Sequence, residues 1–249
     1  MKFKRVMTAL AGLVLSGSSL AAGGGAALEH ANVNVFDNAA VQRGARLYVD
    51  YCSGCHSAQY MRYKRLSEDL GYSEEEILAN LAKPGSKIGD PMTSALSKAD
   101  GAKLFGVPPP DLTLIARVRG NDWLYSYLKS FYRDESRSMG WNNTVFPNAS
   151  MPNVLWELQG IQKLVTKTET GHDGEAHEVP AGFEVIQAGS MSGEEFDNSV
   201  RDLVTFLQYL GEPGQIQRRE LGVWVILFLV LFTFLAYLMK LEYWKDVKK

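Results

Sequence analysis

The chain of 249 residues is 46% hydrophobic and 22% charged, enough for one medium or two small domains with a real core. A formal charge of −2 and ordinary counts of 23 Gly and 9 Pro argue against a nucleic-acid binder, a collagen-like repeat or a disordered chain. Two Cys are too few for a disulfide scaffold or a four-thiolate zinc site.

The chain opens on Lys2, Lys4 and Arg5, then an apolar run from Val6 to Leu15, then small residues to Ala21. That order predicts a secretory signal over residues 1–21. Ten apolar residues reach only about 15 Å as a helix, half a bilayer core, which weighs against a retained anchor. Residues 22–210 hold 17 Lys and Arg against 24 Asp and Glu, so the exported part is acidic. A solvated surface suffices to explain this, and a basic partner is the sharper reading.

Asp37 caps a predicted helix to about Tyr51, with Val41, Gly44, Tyr48 and Tyr51 on one face, and this helix feeds into Cys52-Ser53-Gly54-Cys55-His56. Ser73 and Glu76 form a capping-box signature for a helix through Ala82, stopped by Pro84. Residues 85–111 read mostly as loop, ending in the stiff Pro108-Pro109-Pro110. Asp111 is placed to cap a short helix to about Arg117, and Asp122 to Tyr132 reads as another. Loop returns from Ser136 to Asn153. Residues 162–169 and 183–187 alternate as strands around a polar turn, predicting a small hairpin.

Ser192 and Glu195 make a second capping box for a helix carrying Phe196, Val200, Leu203, Leu207 and Leu210 on one face. Gly211 and Pro213 end it. From Leu221 to Met239 there is no charge in nineteen residues, about 28 Å of helix, enough to cross a membrane. Lys240, Lys245, Lys248 and Lys249 follow it, against Arg218 and Arg219 before it, which puts the C-terminus inside. Trp224, Tyr243 and Trp244 sit near its ends, where interfacial aromatics belong.

Cys52-x-x-Cys55-His56 carries the chemistry. In this pattern two thiols add to the vinyl groups of a haem, and the adjacent His reaches the iron. A thioredoxin-like redox pair would want a strand–helix frame, zinc would want further ligands, and a disulfide across two residues would close a very tight loop. His56 takes one axial position. His30 lies in the N-terminal arm, and His172 and His177 read as a solvated loop pair or a weak metal site. Among the methionines, Met92, Met139 and Met151 remain as partners for the far face. Pro152 pushes Met151 toward extended backbone late in the domain, which favours it. His/Met ligation leaves no open iron position and points to electron transfer rather than substrate chemistry. Arg117 and Arg119 are both candidates for the haem propionates.

These residues resemble the cytochrome c1 family, the haem c subunit of the cytochrome bc1 complex, in its compact bacterial form. The matching stretches are Arg43-Gly44, residues 51–60, Pro-Pro-Asp-Leu at 109–112 and Phe-Pro-Asn-Ala-Ser-Met-Pro at 146–152. Thr205-Phe206-Leu207, Glu212-Pro213 and the C-terminal apolar helix match too.

The resemblance implies one haem c covalently held by Cys52 and Cys55, with His56 and Met151 as axial ligands and Arg119 at a propionate. Family members often carry a propionate-binding Tyr after this Arg; this chain departs from that pattern, with Trp123 near that place. The expected fold is mainly α: a cytochrome c-like haem domain with loop insertions and a small β-hairpin, plus one C-terminal transmembrane helix. The expected organisation is a signal peptide (1–21), an exported haem domain (22–212), a linker (213–220), a transmembrane helix (221–239) and a cytoplasmic tail (240–249). The expected role is electron transfer from the Rieske iron–sulfur protein to a c-type cytochrome, with no independent catalytic site, since quinol oxidation belongs to the partner cytochrome b. The complex is expected to be dimeric and to sit in the inner membrane with its haem domain on the periplasmic side, against lipid and without nucleic acid. Two other readings share the haem motif. An anchored relay of another assembly, such as a terminal oxidase, would lack the 109–112 and 146–152 blocks. A peroxidase-like enzyme would need an open iron position.

Overall fold

The computed structural model describes residues 28–170 and 176–247; the expected signal segment and His172 lie outside the described residues. Helix α1 (Asn38–Leu47) starts where the Asp37 carboxylate accepts from the Ala40 amide at 3.1 Å, the cap read from the sequence. It does not continue as regular helix to Tyr51. Residues Tyr48–Cys52 form a π turn, in which the Ser53 amide donates to the Tyr48 carbonyl at 2.8 Å. The widened turn brings Cys52, four residues on, under the buried Tyr48, and leaves the expected face residue Tyr51 only half-buried.

Strand β1 (Ala58–Arg62) runs into α2 (Tyr63–Leu70), which stops at Gly71 in the left-handed region with φ 74°. Helix α3 (Glu74–Asn80) has the reciprocal Ser73–Glu76 capping box. The short β2 (Pro91–Met92) returns antiparallel to β1, with Ala58 opposite Met92. Within the expected loop 85–111 the structure adds α4 (Lys98–Phe105). Its cap is Ser97, which accepts from the Asp100 amide at 3.1 Å. Among its residues only Gly101 is buried, so it shows no apolar period to read.

Helix α5 (Ile115–Arg119) begins four residues after Asp111, which does not cap it. The Asp111 carboxylate is engaged elsewhere, accepting from the amide and hydroxyl of Thr113 and the amide of Gln59. Helix α6 (Asn121–Lys129) is shorter than expected, because β3 (Phe131–Arg133) leaves to pair with β4 (Trp141–Asn143). After the single turn α7 (Trp156–Gln159), the hairpin of β5 (Gly160–Thr170) and β6 (Ala176–Ala188) is longer than its sequence alternation implies. Two register shifts bend it, and the second lies beside Pro180, which has no amide to offer a ladder. Gly160, at φ 91°, closes its base where a Cβ would strike the Gln187 carbonyl.

Helix α8 (Gly193–Gly211) carries the predicted Ser192–Glu195 box and packs on α1, α5 and α6. Leu203, Phe206 and Leu210 are at most 2% exposed, and such side chains contribute about 1.5–3 kcal/mol apiece. The Tyr48 and Phe206 rings meet at 5.5 Å, and the Arg43 guanidinium forks onto Asp202 at 2.5 and 3.1 Å. Tyr209 donates to Asp69 at 2.8 Å, tying α8 to α2.

Helix α9 (Gln215–Tyr243) takes up the chain three residues after Glu212, so residues 215–220 are already helical. Its mean hydropathy reaches 2.6, and none of that apolar window is buried within the chain. The helix is long and apolar enough to cross a membrane, and its uncovered surface fits a lipid-facing anchor.

Candidate haem site

Cys52 and Cys55 sit on one turn and form no disulfide. Cys52 is buried and Cys55 exposed, so the pair spans from the core to the surface. Burial pushes the Cys52 thiol up to about 12. The Cys55 and His56 amides both donate to the Cys52 carbonyl, at 3.1 and 2.8 Å. The His56 carbonyl accepts from the buried Tyr48 hydroxyl at 2.8 Å. The motif's backbone is thus fixed from both sides.

The His56 ring is oriented from a distant stretch. Its Nδ1 donates to the Pro110 carbonyl at 2.8 Å, which leaves Nε2 as the lone-pair nitrogen. Burial lowers the imidazole's proton affinity, and the Pro110 carbonyl works against that. Residues 110–113 are stitched along 56–60: the Leu112 amide donates to Ser57 at 2.8 Å, and Asp111 accepts from Gln59 at 2.8 Å. A proline serves here because only its carbonyl is used.

Met151 lies half-buried against the core, and its sulfur accepts from the Tyr127 hydroxyl at 3.4 Å. The loop that delivers it is built on two buried asparagines. Asn143 Oδ1 accepts from Ser130 Oγ and from the amides of Val145 and Phe146, while its Nδ2 donates to the Tyr127 carbonyl at 2.8 Å. Asn142 Oδ1 accepts from the amides of Asn143 and Asn148, the latter at φ 64°. Asn153 then accepts from the Leu155 amide at 3.0 Å on the far side of Met151. Of the competitors, Met92 is buried opposite Ala58 and Met139 is 37% exposed.

The Arg119 guanidinium lies 4.9 Å from the Trp123 ring centroid and 5.6 Å from that of Phe146. Among the described residues it pairs with no carboxylate. Arg117, by contrast, pairs with Glu212 at 3.1 Å. Trp123 stacks on Tyr127 at 4.9 Å, so Arg119, Trp123, Tyr127 and Met151 form one continuous line of contacts. His30 pairs with Asp122 at 2.9 Å, and His177 sits on β6 opposite Glu169.

Two unpaired thiols on one turn, an imidazole with its Nε2 free and a loop-borne thioether fit a covalently attached haem. Among the described residues no three His, Cys, Asp or Glu gather as ligands for a bare cation. Sequence reasoning missed Tyr127, the Pro110 carbonyl and the two asparagines. Tyr127 lies four residues after Trp123 on one helix face, a spacing that could have flagged it.

Comparison with known proteins agrees. The chain is 49% identical over 228 residues to a protein named cytochrome c1 from Allochromatium vinosum, covering 92% of this chain and 93% of that one. It is 44% identical over 220 residues to one named ammonia monooxygenase gamma subunit from Nitrosomonas europaea, covering 88% of each. It is 27% identical over 277 residues to a cytochrome c1 from Rhodospirillum rubrum, covering 95% of this chain and 97% of that one. Residues 29–247 match the Cytochrome C1 family, whose members carry one covalently bound haem c. The chain belongs to the cytochrome c1 family, the haem-bearing electron-transport subunits of cytochrome bc1 complexes.

Proposed function

We propose that the chain passes electrons from the Rieske iron–sulfur protein to a c-type cytochrome, as a subunit of quinol–cytochrome c reductase beside cytochrome b in a dimeric complex. Cys52 and Cys55 would hold the haem by thioether bonds, with His56 Nε2 and Met151 Sδ as iron ligands and Arg119 at a propionate. When bound, the haem would supply a one-electron couple. The Pro110 carbonyl holds the His56 tautomer, Asn142 and Asn143 hold the Met151 loop, and Arg119 offers a cation that pairs with no carboxylate among the described residues. Residues 1–21 form a cleaved signal, residues 22–212 the periplasmic domain, residues 221–239 the inner-membrane span and residues 240–249 the cytoplasmic tail.

The observation that carries this reading is His56, with Nδ1 committed to Pro110, beside two free thiols at the mouth of the core. The test is the purified native complex. A b-type cytochrome and a Rieske protein should co-purify with the chain, and the oxidised protein should show the weak far-red sulfur-to-iron band. Met151→Leu should abolish that band and open the iron to carbon monoxide; a band that survives the substitution removes Met151 as ligand. A second reading, an anchored relay in another membrane oxidoreductase, draws on the name of the Nitrosomonas relative. Isolation with a different set of subunits would favour it.

A further inference from the structure

The Tyr127 hydroxyl has one partner among the described residues, the sulfur of Met151 at 3.4 Å. Its ring is gripped on both sides. Trp123 stacks on it at 4.9 Å with the planes 10° apart, and Phe131 meets it edge-on at 4.9 Å. The backbone beneath is fixed as well, since the Tyr127 carbonyl accepts from Asn143 Nδ2 at 2.8 Å and from Ser130 Oγ at 3.3 Å. The hydroxyl therefore cannot swing away without dismantling the loop that carries Met151.

We propose that Tyr127 is a positioning residue that aims the Met151 sulfur and raises the electron affinity of the redox centre by donating a hydrogen bond to that sulfur. The proposal rests on the reading of Met151 as an iron ligand. A thioether has lone pairs for more than one partner. A donor on one of them withdraws electron density from the sulfur, which supports the higher oxidation state less and so favours the reduced one. The same contact holds the side chain in one rotamer and spares the ordering that a free methionine would require.

The test uses the holoprotein in its membrane complex. Tyr127→Phe keeps the ring and its stacking and deletes the donor. It should lower the ferrous-to-ferric ratio at fixed potential by roughly three- to tenfold, the upper value being about 59 mV for one electron. The far-red band should persist at a shifted wavelength. A ring-fluorinated tyrosine installed at position 127 keeps the shape and strengthens the donor, and should move the ratio the opposite way. A purely structural role would push both replacements in the same direction, and that result overturns the proposal. So does an unchanged potential and band in Tyr127→Phe. If Tyr127→Phe does not accumulate, the fluorinated variant decides alone by the sign of its shift. Met151→Leu separates the two readings: a band that survives there brings down the ligand assignment and this proposal together. A band lost there, with Tyr127→Phe unchanged, brings down this proposal only.

Discussion

The Nδ1–H of His56 donates to the carbonyl oxygen of Pro110 at 2.8 Å, so a stretch 54 residues downstream sets the orientation of the haem-motif histidine. That carbonyl is held in place by its neighbour. Asp111 accepts three hydrogen bonds, from the Gln59 amide, the Thr113 amide and the Thr113 hydroxyl. Removing the carboxylate strands the donors and frees the loop. Asp111→Ala is expected to destabilise the domain by about 2 kcal/mol, and Asp111→Asn, which keeps one acceptor oxygen, by less. Thermal melting of the detergent-purified protein measures both, and an Asp111→Ala protein that melts like the parent would show that the acceptors contribute nothing.

The two thiols offer a second test. Cys52 and Cys55 are the only cysteines in the chain, and neither is spent on a disulfide. Cys52→Ala and Cys55→Ala are each expected to weaken covalent haem attachment, and the double replacement to abolish it. Haem-stained denaturing gels read the result directly. Full staining of the double replacement would end the assignment.

Gly44 predicts a packing defect. A Cβ there would overlap the Asp202 carbonyl and lie 2.8 Å from Phe206 Cβ, so α1 and α8 approach closely only because the position is bare. The neighbours are a helix backbone and a fully buried ring root, which have little room to move. Gly44→Ala should therefore destabilise by about 1–3 kcal/mol, despite the higher helix propensity of alanine. Melting at or above the parent temperature would contradict the close approach.

How much of this was legible depends on the period of each element. The helices that bury a stripe, with Phe196, Val200 and Leu203 or with Val41 and Tyr48, announce themselves through spacing and caps. Helix α4 buries only Gly101, and β4 is three residues long, so neither repeats often enough to be seen. The π turn at Tyr48–Cys52 changes the period inside a pattern that looks regular, which is why Tyr51, expected on the buried face, packs against the core only half-buried. At the site, the thiols and His56 are adjacent in sequence and readable as a motif. The partners that orient them are 54 residues away for His56 and 24 for Met151, and only the fold brings them together.

Acid should loosen the N-terminal arm. The Asp122 carboxylate accepts from the Ala31 amide at 2.9 Å and pairs with His30, and these contacts hold its pKa below the usual carboxylate value. A depressed native pKa means the stabilisation is fully present above the unfolded value of about 4 and is lost as pH falls through the native one. Amide exchange at Ala31 should accelerate in that acid window, and in Asp122→Asn the acceleration should shrink. An Ala31 amide indifferent to acid in the parent protein would show that Asp122 does not clamp the arm.

The two arginines on α5 divide by what they touch. Arg117 is already paired with Glu212, whereas Arg119 lies over Trp123 and Phe146 with no carboxylate on it among the described residues, on the line of contacts that leads to Met151. A cation facing a redox centre stabilises the state with one more electron, so losing it should lower the midpoint potential. Arg119→Gln is expected to shift the ferrous-to-ferric ratio about tenfold toward ferric, about 59 mV for one electron. Arg117→Gln should leave the potential close to that of the parent, because the Arg117 charge is exposed to screening and sits on Glu212, which Arg218 also holds. Added salt separates the two mechanisms further: a propionate contact within the site resists screening, and an exposed pair does not. Potentiometric titration of both variants at two ionic strengths decides the matter. If Arg117→Gln carries the drop and Arg119→Gln does not, the propionate role passes to Arg117 and Glu212 becomes the group that positions it.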